Sequence, residues 1–222
     1  MATITRLKVK GLRRFLHLDL PFKSFMVFID ANGSGKTTFL EALALLSAST
    51  TGNLNKAITD LGGFASLITR DVADSLSVTV EMAVPEYPSL VYELELIAKG
   101  NSYAISKETL SQVRPGFATP FHHINSSYDD IRYFSTDAQR LIRPSWAHNP
   151  WETSLSQVPK MFQQPEEFRQ LLAAATQEVV VLDVNERGFT TATWADTMDL
   201  DHWLAAYTLD QVWQLGRMGG RS

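Results

Sequence analysis

The stretch that decides the fold is "FIDANGSGKTTFLEAL", which runs from Phe28 to Leu43. Its centre matches the phosphate-binding pattern G-x-x-x-x-G-K-[ST] at every fixed position except the first, where Asp30 stands in place of glycine. The apolar run "FMVFI" before it predicts a buried strand, and the apolar spacing after it predicts an amphipathic helix. This context of strand, glycine loop and helix favours a true P-loop over a glycine-rich turn that only caps a helix.

The chemistry of such a loop depends mainly on the backbone. Gly33 and Gly35 would let consecutive N–H groups turn toward the β-phosphate at the positive end of the following helix. Lys36 would bridge the β- and γ-phosphates, and the hydroxyl of Thr37 would ligate Mg²⁺. The expected cofactors are therefore ATP and Mg²⁺. The expected nucleotide-binding residues are Asn32, Gly33, Ser34, Gly35, Lys36, Thr37 and Thr38.

Asp30 is the residue that departs from the pattern. A carboxylate beside a triphosphate is repelled unless it points away or is screened by Mg²⁺, which predicts weaker binding. Alternatively, Asp30 turns outward and caps a neighbouring amide, and binding stays nearly intact. The sequence leaves both alternatives open.

Composition limits the class of protein. With 222 residues, 45% hydrophobic and 20% charged, the chain is long enough for one large core, and we expect a single domain over 1–222. The chain has no cysteine, which excludes disulfides and thiolate metal sites, and a cytoplasmic location is expected. No apolar run suits a signal peptide or a membrane span. The net charge of −4 argues against a nucleic-acid attraction over the whole surface but permits a local basic patch.

Hydrophobic patterning predicts an α/β fold with a central sheet and an antiparallel β-subdomain. Between Thr3 and Phe22 the alternation typical of strands is broken at Gly11, and Gly100-Asn101 predicts a hairpin turn. The region from Arg114 to Trp151 is expected to be irregular, and Pro165 is expected to begin a helix. The predicted segments are the P-loop unit at 1–50, the antiparallel β-subdomain at 75–135, a helical segment at 150–178, and a C-terminal strand and helix tail at 179–222.

The two ends of the chain carry a family resemblance. The stretch "FMVFIDANGSGKTTFLEALALLSAS", with the strands before it, resembles the start of the predicted AAA-type ATPases of the RecF/SMC/OLD group. The final "DLDHWLAAYTLDQVWQLGRMGGR" is similar to the tail of many of these proteins. The resemblance implies a P-loop NTPase with an ABC-type ATPase head, which dimerises around nucleotide and drives a partner.

The catalytic half of such a head is not evident in the sequence. The resemblance implies an LSxG-like signature and a Walker B strand ending in Asp-Glu, and a block that would hold them is missing between roughly Ala175 and Val179. The run "VVVLD" ends at Asp183, the one candidate catalytic residue, but Val184 follows instead of glutamate. Its position just before the tail favours a structural strand. Gln157 falls where an ABC-type head places the glutamine that senses Mg²⁺, the alternative being an ordinary surface glutamine.

Two function classes follow from these observations. The first is an ATP-binding and, in its complete form, ATP-hydrolysing head that acts with a partner, or as a homodimer, in DNA repair or defence against foreign DNA. The second is a non-hydrolysing nucleotide-binding scaffold or regulatory module. Arg6, Lys8 and Lys10 share one face of a strand, where they could contact nucleic acid. The favoured interpretation is a solvated edge strand whose charges prevent aggregation.

Overall fold

The structure is a computed structural model that describes residues 3–22, 35–69, 72–84, 87–128, 130–159, 165–166, 168–170, 180–185 and 188–193. At Lys36 and Val84, and along the last two ranges, the description covers the backbone alone. The described residues form an α/β fold in which helices pack on one face of an eight-stranded antiparallel sheet.

Strands outnumber helices among the described residues. The strands are β1 (Thr3–Leu12), β2 (Phe15–Pro21), β3 (Ser75–Val84), β4 (Tyr87–Lys99), β5 (Ser102–Gln112), β6 (Phe121–Ser126), β7 (Tyr133–Ser135), β8 (Arg140–Ile142), β9 (Val180–Asn185) and β10 (Gly188–Thr193). The helices are α1 (Lys36–Thr51), α2 (Leu54–Asp60), α3 (Phe64–Leu67) and α4 (Ser154–Gln157).

The large sheet has the order β2-β1-β3-β4-β5-β6-β7-β8, and all of its pairings are antiparallel. The antiparallel pairing predicted from Ser75 to Lys107 is therefore confirmed, and the Gly100-Asn101 turn joins β4 to β5 as predicted. Alternation decides which face each side chain takes, so that Val78 and Val80 are buried while Thr79 between them is only half-buried.

Gly11 was expected to break the first strand, and this expectation is wrong. Gly11 lies inside β1 with φ +70°, and a Cβ there would lie 2.1 Å from the carbonyl oxygen of Ser75 on the neighbouring β3. The chain turns two residues later, at Arg13 and Arg14, where Arg13 adopts φ +46°. Glycine is needed at position 11 because two backbones approach each other closely.

One hydrophobic core lies between the inner face of the sheet and the helices. The apolar face of α1 supplies Phe39, Ala42, Leu43, Leu45 and Leu46, all buried. Opposite them lie buried side chains of β1, β3, β4 and β5, including Leu7, Val9, Val78, Val80, Tyr92, Leu94 and Leu110. A 16-residue helix with such a face gains most of its stability from packing and not from its intrinsic propensity.

Two buried carboxylates attach short helices to this core. Glu108 on β5 accepts hydrogen bonds from the backbone N–H of Ser154 at 2.5 Å and of Leu155 at 2.8 Å, and from the hydroxyl of Tyr92 at 3.1 Å. Burial raises the pKa of Glu108, and the two backbone donors oppose that rise. The carboxylate thus holds the start of α4 against the sheet.

Glu152 does the same for α2. Its carboxylate accepts hydrogen bonds from the N–H of Leu54 at 2.8 Å and of Asn55 at 3.2 Å. The N-cap residue Asn53 makes no side-chain capping hydrogen bond, so Glu152 takes over that role. The neighbouring Thr153 hydroxyl donates to the carbonyl oxygen of Ser49 near the end of α1. The segment before α4 therefore fixes the α1–α2 junction.

The region between Arg114 and Trp151 was expected to be irregular, and this is wrong, because β6, β7 and β8 extend the sheet there. Pro165, Glu166 and residues 168–170 are helical, in agreement with the helix predicted to begin at Pro165. The predicted strand Phe25–Ile29 and the tail helix lie outside the described residues. The central sheet of an ABC-type head is therefore not confirmed, since every described pairing is antiparallel whereas P-loop sheets are mostly parallel.

Candidate nucleotide-binding site

The site begins where the glycine loop meets α1. Gly35 has φ +120°, a conformation that L-residues rarely adopt, and α1 starts at the next residue. The first helical hydrogen bond runs from the Phe39 N–H to the Gly35 carbonyl oxygen at 2.9 Å. Among the described residues no side chain caps this end, and the first turn carries no acidic residue. The leading N–H groups of a four-turn helix therefore point out of its positive end, as an anion-binding site requires.

A neighbouring strand also restricts the Gly35 position. A Cβ built on Gly35 would lie 2.6 Å from Cε1 of Phe15, the first residue of β2. Backbone conformation and the Phe15 ring therefore each require glycine at this position.

The two threonines that follow Lys36 point to different environments. Thr37 is exposed at the start of α1, whereas Thr38 is only 4% exposed and packs into the protein. An exposed hydroxyl one residue after the lysine has the access that a Mg²⁺ ligand needs. Asp30, Asn32, Gly33 and Ser34 lie outside the described residues.

Gln157 lies at the opposite end of α1 from Thr37. Its side-chain amide oxygen accepts from the Asn149 N–H at 2.8 Å, and its amide nitrogen lies 3.0 Å from the carbonyl oxygens of Asn149 and Glu152. The Thr153–Ser49 hydrogen bond places this segment about 18 Å along the helix axis from Thr37, at 1.5 Å per residue. The Mg²⁺ role of Gln157 stays a prediction, and the contacts described here give this side chain a role in folding the 148–153 turn.

Asp183 lies on β9, which pairs with β10 in a two-stranded antiparallel ribbon where Asp183 is opposite Thr190. Within the part of the chain that the structure describes, β10 is the strand that pairs with β9. A Walker B strand would lie in the same sheet as the P-loop strand, and that strand is outside the described residues. The catalytic role of Asp183 stays a prediction.

Sequence reasoning missed an ion pair on the P-loop helix. Glu41 in the second turn of α1 is 8% exposed, and its Oε2 lies 2.6 Å from Nε of Arg13. Burial raises the pKa of Glu41, and the charge of Arg13 opposes that rise. The available signal was a lone acidic residue within the apolar run "FLEALALL", which needs a partner when buried.

Among the described histidines, His123 on β6 has the most strongly shifted pKa. Its side chain is buried, and Nε2–H donates to Oε1 of Gln112 at 3.0 Å, while Nε2–H of Gln112 donates to the Pro88 carbonyl oxygen. Burial, reinforced by the positive charge of Arg114, lowers the pKa of His123 to about 4. Across the described residues no cluster of three or more possible metal ligands occurs. His123 is therefore a neutral, hydrogen-bonded core residue.

The basic residues of β1 are largely neutralised. Nε of Arg6 lies 2.6 Å from Oδ1 of Asp19, and the Lys8 ammonium lies 3.4 Å from Oε1 of Glu81, while Lys10 is exposed. The expectation of an edge strand is wrong, because β1 pairs with β2 on one side and β3 on the other. Binding of nucleic acid to this strip stays a prediction, and paired cations weaken the case for it.

The geometry defines a class of protein first. A positive-φ glycine before a long uncapped helix, in the sequence context G-S-G-K-T, is the phosphate-binding end of a P-loop nucleotide-binding domain. Residues 25–167 match the profile of a family described as "AAA domain, putative AbiEii toxin, Type IV TA system". This match covers well over half of the chain, and the chain belongs to this AAA domain family, which implies nucleotide binding and an ATPase-like function.

A search among curated proteins finds no match to the chain. None of the described helices is long and apolar enough to cross a membrane.

Proposed function

We propose that this chain is the ATP-binding head of an ABC- and SMC-like ATPase of the RecF/SMC/OLD group. In its complete form it hydrolyses ATP and acts with a second copy or a partner protein in defence against foreign DNA or in DNA repair. The observation that carries the proposal is the family match across the P-loop sequence, together with the start of α1 directly after Gly35.

The residues have distinct roles in this proposal. The N–H groups around Gly33 and Gly35 hold the β-phosphate, Lys36 bridges the β- and γ-phosphates, and Thr37 ligates Mg²⁺. The exposure of Thr37 and the absence of an acidic residue from the first turn of α1 support this arrangement. The chain itself supplies no residue that we can assign to activation of the attacking water, other than the candidate Asp183.

A second candidate function is a nucleotide-binding scaffold that does not hydrolyse ATP. Val184 favours this alternative for the chain by itself, because a Walker B strand would carry a glutamate directly after Asp183. Hydrolysis needs both a clamp on the γ-phosphate and an oriented water. In this alternative, ATP binding changes the shape or the partner of the protein without turnover.

Binding is tested by titration calorimetry with Mg²⁺-ATP. The Lys36→Ala variant should bind more weakly by about 1.5–3 kcal/mol, the range for hydrogen bonds to charged groups. Lys56→Ala is the matched control, because this exposed lysine on α2 pairs with Asp60 of the same helix, and the ATP affinity of this variant should equal that of the parent. A parent chain that binds no ATP, or a Lys36→Ala variant with unchanged affinity, would contradict the proposal.

Turnover separates the two candidates. A phosphate-release assay on the parent, Lys36→Ala and Asp183→Ala should show background rates in all three if the chain is a scaffold. Rapid turnover that both substitutions abolish would establish hydrolysis and assign Asp183 to the catalytic site. Sedimentation with and without Mg²⁺-ATP, again with Lys36→Ala as control, tests whether nucleotide drives dimerisation.

A further inference from the structure

We propose that the tip of the β1–β2 hairpin, residues 12–15, positions the phosphate-binding end of α1. It acts through Arg13 on the helix and through Phe15 on the loop glycine. This inference rests on the proposed function, because it concerns the same ATP site. Arg13 and Phe15 are then positioning residues that need not touch the nucleotide.

Arg13 joins the hairpin to three helices. Its Nε lies 2.6 Å from Oε2 of Glu41 on α1, and its Nη2 donates to the carbonyl oxygen of Leu61, which follows α2, at 3.0 Å. Its own N–H donates to the carbonyl oxygen of Leu67 at the end of α3 at 2.6 Å. The guanidinium is about one-third exposed and Glu41 about one-tenth, so this ion pair is shielded from solvent on the helix side. Arg13 adopts a left-handed φ of +46°, which these contacts hold in place.

Phe15 acts on the loop itself. Its ring occupies the space into which a Cβ on Gly35 would project, at 2.6 Å. Phe15 and Arg13 are two residues apart on one hairpin. Phe15 lies against Gly35 at the N-terminus of α1, and Arg13 pairs with Glu41 in its second turn. The hairpin therefore fixes both where the loop ends and how the helix begins.

Removal of Arg13 should disturb this end of α1 specifically. Glu41 would keep its burial but lose its compensating charge, and a buried carboxylate without a partner must either move toward water or take up a proton. Movement of Glu41 toward water displaces the second turn of α1 and, with it, the N–H groups of the first turn. Arg6 pairs with Asp19, so this ion pair joins β1 to β2 within the hairpin.

The test compares Arg13→Ala with Arg6→Ala, its matched control in the same hairpin. Calorimetry should show that Arg13→Ala weakens Mg²⁺-ATP binding by about fivefold or more, the lower end of typical couplings between sites, whereas Arg6→Ala leaves it unchanged. Amide hydrogen exchange of the free proteins should show faster exchange at Phe39, whose N–H makes the first helical bond of α1, in Arg13→Ala alone. Arg13→Lys keeps the charge and should recover part of the affinity.

The outcomes separate this inference from the proposed function. If the parent binds no ATP, the proposed function fails, and Phe39 exchange alone decides whether the hairpin positions α1. If exchange at Phe39 is the same in Arg13→Ala and Arg6→Ala, or if both variants keep the parent's ATP affinity, the inference is overturned. Should Arg13→Ala fail to fold, Glu41→Gln, which keeps the side-chain volume and removes the charge, replaces it with the same expected results.

Discussion

Gly35→Ala tests whether the phosphate loop depends on glycine for two separate reasons. The backbone at φ +120° is expected to disfavour alanine by about 1–3 kcal/mol, the range for a residue held in a sparsely populated conformation. The new methyl group would also lie 2.6 Å from the Phe15 ring, and overpacking of this kind typically costs about 1–3 kcal/mol. The expected loss in the free energy of unfolding is therefore about 2–6 kcal/mol.

The control for this substitution is at the other end of the same helix. Gly52 also has a positive φ, +71°, but the nearest atom to a Cβ there is 3.9 Å away, in the Ser156 side chain. Gly52→Ala should therefore cost only the backbone term, about 1–2 kcal/mol. Urea unfolding of both variants measures the difference.

A double-mutant cycle with Phe15→Ala separates the two contributions. Removal of the ring should relieve the steric part of the Gly35→Ala cost and leave the backbone part. The double variant should therefore lose about 1–3 kcal/mol less free energy of unfolding than the sum of the two single losses. ATP binding should be lost in Gly35→Ala and stay lost in the double variant, since the strained loop backbone persists in both. The reasoning would be refuted if Gly35→Ala cost no more than Gly52→Ala, or if the Phe15→Ala and Gly35→Ala effects were strictly additive.

Two other predictions concern pH and Gln157. Folding lowers the pKa of His123 from 6.5 to about 4, so the unfolded chain takes up the proton first as the pH drops. The free energy of unfolding should therefore decrease between pH 6.5 and about 4, by about 3 kcal/mol at about 1.36 kcal/mol per pKa unit. His123→Gln should lack this decrease when urea midpoints at pH 7 and pH 4.5 are compared with the parent, and an identical decrease in both proteins would exclude His123 as its source. Gln157→Ala should lower the free energy of unfolding by about 0.5–1.5 kcal/mol, because it removes the exposed hydrogen bond from the Asn149 N–H, while Mg²⁺-ATP affinity stays at the parent value. A tenfold loss of Mg²⁺-dependent ATP affinity with unchanged stability would instead support the Mg²⁺ role.

The parts of the fold that the sequence predicted are those with a local cause. The strands from Ser75 to Lys107 follow from two-residue alternation, and their hairpin follows from a Gly-Asn pair. The start of α1 follows from the glycine loop. Each of these signals is contained within a few neighbouring residues, so no knowledge of the distant chain is needed.

The parts that could not be predicted depend on residues far apart in the chain. Glu152 caps α2 through Leu54, 98 positions earlier, and Glu108 holds the start of α4 through Ser154, 46 positions later. Short strands such as β7, with three residues, have too few side chains to show a period. The pairing of Arg13 with Glu41 likewise gives no signal in either local sequence beyond one acidic residue among apolar ones.

The helix that carries the candidate site is held at both of its ends. At its start, Phe15 packs against Gly35, and Arg13 pairs with Glu41. At its end, the Thr153 hydroxyl donates to the Ser49 carbonyl oxygen, next to the junction that Glu152 caps. A binding element ordered before the ligand arrives loses little conformational entropy when the ligand binds. The N–H groups of α1 are therefore prepared for an anion by contacts that lie wholly within the protein. Differences in nucleotide affinity among variants should arise from the glycine loop, from Lys36 and from the hairpin that packs against this end of α1.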